Sequence, residues 1–193
     1  MTITRRDILR NLGAGIAATS VLRVIPAVAA QHAHQTIATQ KATAGAYTPM
    51  YFNAHEYRTL TALCRAILPS DQKSPGAVEA GAPEFIDLLT SENEEFRRVL
   101  GGGLIWLDAE CADRYGATFL ASKPDQQSEI LDLIAYRKNA TQDSRLSQPV
   151  QFFALLRNLT CDAYFTSEIG IRDLGYIGNT FVREFHGCPP LPE

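Results

Sequence analysis

The apolar residues of this chain recur at helical spacing, and no stretch alternates with a period of two to any strength. Leu60, Leu63, Cys64, Ile67 and Leu68 form one stripe, and Phe96, Val99 or Leu100, Leu104, Leu107, Cys111 and Tyr115 form a second. Ile130, Leu131 and Ile134 form a third, and Phe152, Leu155, Leu156, Leu159 and Ala163 a fourth. Stripes of this kind are buried by packing helix on helix. The expected fold class is therefore all-α: a compact bundle of about five helices, with an extended N-terminal arm and an irregular Gly/aromatic C-terminal tail.

Local signals fix the ends of these helices. Asn53 is a good N-cap with Glu56 at the third helical position, close to a capping box, and Pro69 stops the helix that follows. Pro69 to Gly76 carries turn chemistry, and Gly81-Ala82-Pro83 leads into a short helix with Phe85, Ile86, Leu88 and Leu89 inward. A longer helix is expected from Asn93 to Tyr115. Gly101-Gly102-Gly103 lies in its middle at a cost of roughly 0.8 to 1 kcal/mol per residue relative to alanine. Either the helix breaks there or something approaches closely. A phosphate cradle does not fit, because no strand precedes the glycines and no Lys-Ser/Thr follows them. Ser122-Lys123-Pro124 starts another helix, and after a polar loop around Thr141 to Gln148, Pro149 opens the last clear one.

The first thirty residues have a different design. Thr4-Arg5-Arg6-Asp7-Ile8-Leu9 puts paired arginines ahead of a weakly apolar run, Leu12 to Val28, that ends in Ala27-Val28-Ala29-Ala30. This is the order of charged region, apolar region and small-residue cleavage site, with Ala27, Ala29 and Ala30 at the cleavage site. Arg5 and Arg6, followed by a run diluted with Gly13, Gly15, Thr19, Ser20 and Arg23, look like a twin-arginine export signal. A transmembrane anchor needs about 18 or more uninterrupted apolar residues, and Arg23 breaks the run first. The division expected is thus a signal at 1–30, a polar arm at 31–50, and a helical domain at 51–193 whose tail binds a partner. The twin-arginine route carries cargo that is already folded, which calls for a cofactor or a partner. Residues Gln31 to Ala46, rich in Ala, Thr and Gln, read as an arm that is flexible or laid on a partner, with His32 and His34 incidental.

Charge and cysteines narrow the function. The chain has 18 basic and 21 acidic residues, a net −3, and the first 30 residues hold four of the basic and one of the acidic, leaving −6. Nucleic acid and anionic membranes are poor partners for such a chain. The four cysteines, Cys64, Cys111, Cys161 and Cys188, include no C-x-x-C pair, so thioredoxin-like chemistry and covalent c-type haem lose their usual signature. Cys64 sits on an apolar face as a buried thiol. Cys161 falls with Ala154, Arg157, Asn158 and Phe165 on the outer face of the last helix, where a thiol and a phenylalanine are candidates for contact with another chain. His186-Gly187-Cys188 offers too few donors for a structural zinc site. No nucleophile with an adjacent base can be picked out. An independent enzyme would rest on His55 with Glu56 or Asp71.

Phe52-x-x-His55-Glu56-x-x-Thr59-Leu60, Ile67-Leu68-Pro69-Ser70-Asp71, Pro75-Gly76-Ala77, Ala80-Gly81 and Phe85-Ile86-Asp87 resemble the gluconate 2-dehydrogenase subunit 3 family. Tyr115-Gly116-x-x-Phe119, Tyr164-Phe165-Thr166-Ser167 and Leu174-Gly175-Tyr176-x-Gly178-Asn179 extend the likeness over about residues 50 to 188. The resemblance implies a non-catalytic small subunit of a periplasmic sugar or sugar-acid dehydrogenase. It binds no cofactor or metal itself. FAD sits in a large partner subunit of the glucose-methanol-choline type, and often haem c in a third, cytochrome subunit takes the electrons. The small subunit carries the export signal for the large one through the twin-arginine translocase, and partner subunits hold some such complexes at the membrane. The interface expected comprises Arg157, Cys161, Tyr164, Phe165, Tyr176 and Phe181, with an intermolecular disulfide from Cys161 or Cys188 as one hypothesis. A free-standing exported binding protein and an independent periplasmic enzyme are the alternative readings.

Overall fold

The computed structural model describes residues 25–178, and all of their regular structure is helical, with no strand among them. Among these residues eight α-helices of six residues or more succeed one another: α1 (Ala27–Ala44), α2 (Ala54–Ile67), α3 (Ala82–Glu92), α4 (Gly102–Tyr115), α5 (Pro124–Ala135), α6 (Arg137–Gln142), α7 (Ser147–Phe165) and α8 (Glu168–Asp173). Helix α7 is the axis of the bundle and packs on α2, α3, α4, α5, α6 and α8, while α1 lies on α3. The core gathers Leu60, Leu63, Phe85, Ile86, Leu107, Phe119, Ile130, Ile134, Leu156 and Leu159, all within 1 % of full burial. Among the described residues no helix is long and apolar enough to cross a membrane.

The first correction concerns the arm. Residues expected to be an extended or flexible lead-in form α1, whose inward stripe is Ala30, Ala33 and Ile37, all buried. That i, i+3, i+7 stripe is apolar, yet two of its three members are alanines, so it adds little hydrophobicity to a polar sequence. Small side chains let α1 lie close on the bundle. Tertiary contacts, rather than propensity alone, then hold the helix. Gly45 ends it in the left-handed conformation (φ 79°) and returns its N–H to the Lys41 carbonyl.

Helix α2 starts as its sequence prescribes. The Asn53 side chain accepts the His55 and Glu56 N–H groups at 2.9 and 3.0 Å, and the Glu56 carboxylate accepts the Asn53 N–H at 3.0 Å. Pro69 follows directly on its last turn, and in the loop beyond it the Asp71 carboxylate takes the N–H groups of Lys73 and Ser74. These two bonds hold the Asp71 carboxyl below its ordinary range.

The expected long helix at Asn93 to Tyr115 divides into a short turn (Glu94–Phe96), a π-helical turn (Arg97–Gly101) and α4. Of the two outcomes foreseen for the glycines, the close approach occurs, while the helix does not break and keeps a right-handed helical backbone through the π turn. The hydrogen-bonding pattern widens ahead of them, and a Cβ built on Gly103 would lie 2.0 Å from Cγ of Phe152 on α7. Gly103 is thus a point where α4 and α7 approach too closely for a side chain. Within the π turn it is Leu100, not Val99, that enters the core with Leu104, Leu107 and Cys111 of α4. A second difference lies at Arg137 to Leu146, where α6 and a 3-10 turn (Ser144–Leu146) replace much of the expected polar loop. A third lies beyond Ser167, whose side chain accepts the Gly170 N–H at 3.0 Å and starts α8 within a segment expected to be irregular.

Candidate functional site

The most developed polar site surrounds Asp87, which is fully buried in the middle of α3. Its neighbours Phe85, Ile86 and Leu88 place this face of α3 in the core, so the carboxylate has no water and needs protein donors. The segment entering α2 supplies them. Oδ2 accepts the Tyr47 hydroxyl at 2.7 Å and the Met50 N–H at 2.6 Å, and Oδ1 accepts the N–H groups of Tyr51 and Phe52 at 3.1 and 2.9 Å. Burial and the adjoining Asp87 charge push the Tyr47 phenol well above its ordinary range, so it acts as a fixed donor. Burial, with Glu84 and Asp87 nearby, raises Tyr57 likewise. The four bonds fix the chain from 47 to 52 against α3. As a result Met50 is left 58 % exposed beside the half-buried Tyr47, and Phe52 is in the core.

The acid/base pairs expected for an independent enzyme do not assemble as such. Glu56 is engaged in the capping box and Asp71 in its own turn. The partner of His55 is instead Asp108 on α4, at 2.6 Å from Nε2, and the other oxygen of Asp108 accepts the Phe119 N–H at 2.9 Å. This chain of contacts ties the start of α2 to α4 and to the 3-10 turn at Phe119–Ala121. His34, expected to be incidental, stacks on Phe85 with ring centroids 5.0 Å apart and pairs with the Thr166 hydroxyl at 2.9 Å. Burial holds its pKa below the ordinary histidine value. His32 is exposed on the outer side of α1.

The thiols have separate environments. Cys64 is fully buried against Thr160 of α7, at 3.7 Å, and burial pushes its pKa up to about 12, which suits a core residue and not a nucleophile. Cys111 is buried in α4. Cys161 is half-buried and free, and burial raises its thiol more than the nearby Arg157 lowers it.

Of the interface residues expected from sequence, Arg157 and Phe165 are exposed, Phe165 by 45 %, and Tyr176 is 55 % exposed. Tyr164 corrects the expectation. It is 2 % exposed, and its hydroxyl donates to the Pro75 carbonyl and to the Asp173 carboxylate, both at 3.0 Å. At 100° per residue it turns away from the outer face and clamps α8 and the loop at Pro75 to α7. Asp173 also takes the Ser74 hydroxyl. Phe181, Cys188, Arg5 and Arg6 lie outside the described residues. Beside Phe165 and Tyr176 stand Ile171, Leu174 and Ile177 of the apolar tail, not among the interface residues singled out from the sequence, and they are 37 %, 60 % and 83 % exposed. These five side chains run from the end of α7 through α8 to the last described residues, an unusual concentration of exposed apolar surface in a short span.

Comparison with known proteins bears on the same region. The family model described as gluconate 2-dehydrogenase subunit 3 matches residues 54–183, which takes in α2 to α8 and the apolar segment after α7. No curated protein and no solved structure gives a match.

Proposed function

Because the chain belongs to the gluconate 2-dehydrogenase subunit 3 family, we propose that it is the non-catalytic small subunit of a periplasmic, FAD-dependent sugar or sugar-acid dehydrogenase. Family membership implies a catalytic partner subunit. In this reading the partner is a flavoprotein of the glucose-methanol-choline type, and the present chain covers apolar surface on it and stabilises it. The paired Arg5 and Arg6 then take the assembled pair through the twin-arginine route, and a cytochrome c subunit accepts electrons where one is present. Hydride transfer takes place on the partner's flavin. The residues of this chain supply contact surface and a rigid frame.

The observation that carries the reading is the exposed run Phe165, Ile171, Leu174, Tyr176 and Ile177. Tyr164, Ser167 and Asp173 hold its base rigid, so little ordering is left to oppose association. Aromatic and aliphatic side chains presented on a fixed base suit the dry centre of a stable interface.

Isolation from the native host's periplasm through a C-terminal tag tests this directly. A larger protein should copurify, with flavin absorption in the spectrum of the complex, and haem bands would add the third subunit. A single colourless band, stable and monodisperse, would overturn the subunit reading in favour of a free-standing exported protein.

A further inference from the structure

We propose that α1, by folding the cleavage site Ala27-Val28-Ala29-Ala30 into its first turn and burying Ala30, withholds the site from a leader peptidase although Ala27, Val28 and Ala29 face solvent, so that the folded subunit retains its N-terminal leader. The inference rests on the reading of residues 1–30 as an export signal.

A leader peptidase takes its substrate as an extended strand laid across its own cleft. Here the small-residue site is instead the first turn of α1, where the Ala30 N–H donates to the Pro26 carbonyl at 3.0 Å. Contacts from just before the first turn to the last one hold α1 in place. The Ile25 N–H reaches the Asp162 carboxylate at 3.4 Å, His34 pairs with Thr166, and the Lys41 ammonium meets Glu84 at 2.6 Å. Ala30 is fully buried, and Ala33 and Ile37 are 2 % and 6 % exposed.

The products fit the fold poorly as well. Hydrolysis adds water across the Ala29–Ala30 peptide bond and leaves a carboxylate on Ala29 and an ammonium on Ala30. The new charge would sit on a residue with no exposed surface, and Pro26 would depart with the leader. Cutting one bond later would remove Ala30 itself from the core. Cleavage and the packed first turn of α1 therefore oppose one another, and the site opens to a peptidase in the fraction of molecules whose first turn has unwound and released Ala30.

Purified full-length chain is treated with detergent-solubilised leader peptidase, and the product is read by intact mass and N-terminal sequencing. The folded wild type should stay uncut. Ala33→Asp, which places a carboxylate in the packed stripe, should be cut on the order of tenfold faster or more. Should that variant not fold, His34→Ala, which loses the Thr166 and Phe85 contacts, should give an intermediate rate. Wild type cut as fast as either variant, or variants as resistant as wild type, would overturn the shielding. The subunit recovered from the host envelope should begin at Met1 or Thr2, and a start at Ala30 or Gln31 would also overturn it. The export reading is scored separately by Arg5→Lys with Arg6→Lys. If that double variant reaches the envelope as the wild type does, the export reading falls, and the peptidase assay still decides the shielding.

Discussion

Replacing Asp87 by asparagine keeps the shape of the side chain and removes its charge. Two oxygens now receive four donors, two each. An amide offers one oxygen, so one pair of donors meets an NH2 group. The arrangement that loses least keeps the oxygen toward Tyr51 and Phe52 and turns the NH2 toward Tyr47 and Met50. The Tyr47 hydroxyl can rotate and accept, but the Met50 N–H, now 2.6 Å from a nitrogen, cannot. That orphaned donor costs ~1–3 kcal/mol, and the three surviving bonds drop from charge-assisted to neutral strength, about 0.5–1 kcal/mol each. Relief from burying a charge returns part of this. The net expectation is a loss of about 2–4 kcal/mol for D87N, and more for D87A, which leaves four donors facing a hole. Y47F removes one donor and orphans nothing, so about 1 kcal/mol is expected. Urea unfolding followed by helical circular dichroism measures all three. A D87N midpoint equal to wild type at unchanged slope, or a Y47F loss as large as that of D87N, would refute the reasoning.

Further expectations follow from other contacts in the bundle. Gly103→Ala drives a methyl group into the ring of Phe152 and should lower stability by ~1–3 kcal/mol or more, whereas Gly102→Ala, with nothing within 4 Å, should raise it by about 0.5–1 kcal/mol in the same assay. The Cys64 thiol should resist alkylation in the native chain at mildly alkaline pH and react on unfolding. Since its pKa rises from 9.0 to about 12 on folding, the unfolded chain loses the proton first, and stability should fall as pH climbs from about 9 toward 12. His34 has the opposite sense. Its folded pKa lies below the ordinary 6.5, the unfolded state binds the proton first, and stability should fall as pH drops below that value. His34→Gln should flatten this slope, read as the pH dependence of the urea midpoint.

The sequence made the bundle legible wherever a helix carries large aliphatic residues at regular spacing. Helices α2, α3, α5 and α7 announce themselves that way, and the capping box at Asn53 forms from the residues that signalled it. Helix α1 escaped because its buried stripe is two alanines and one isoleucine in a Thr- and Gln-rich segment, a pattern that composition alone assigns to a loose arm. Tyr164 was misplaced for a related reason: it adjoins Phe165 in the chain, and an aromatic pair at a helix end invites assignment to one surface, although neighbours in a helix stand 100° apart. Asp87 and Asp108 were readable in principle. Each is an acid one step from large core residues, Asp87 fully buried between Ile86 and Leu88 and Asp108 partly buried after Leu107, and a charge so placed calls for partners. What spacing along the chain cannot supply is the identity of those partners, because Asp87 meets a segment some forty residues earlier and Asp108 a histidine more than fifty residues earlier. Both acids fasten the 47–55 segment to the bundle, one through its backbone and one through His55. The polar groups that first suggest catalysis are therefore engaged in structural contacts: Glu56 in the cap of α2, Asp71 in its own turn, and His55 with Asp108 of α4.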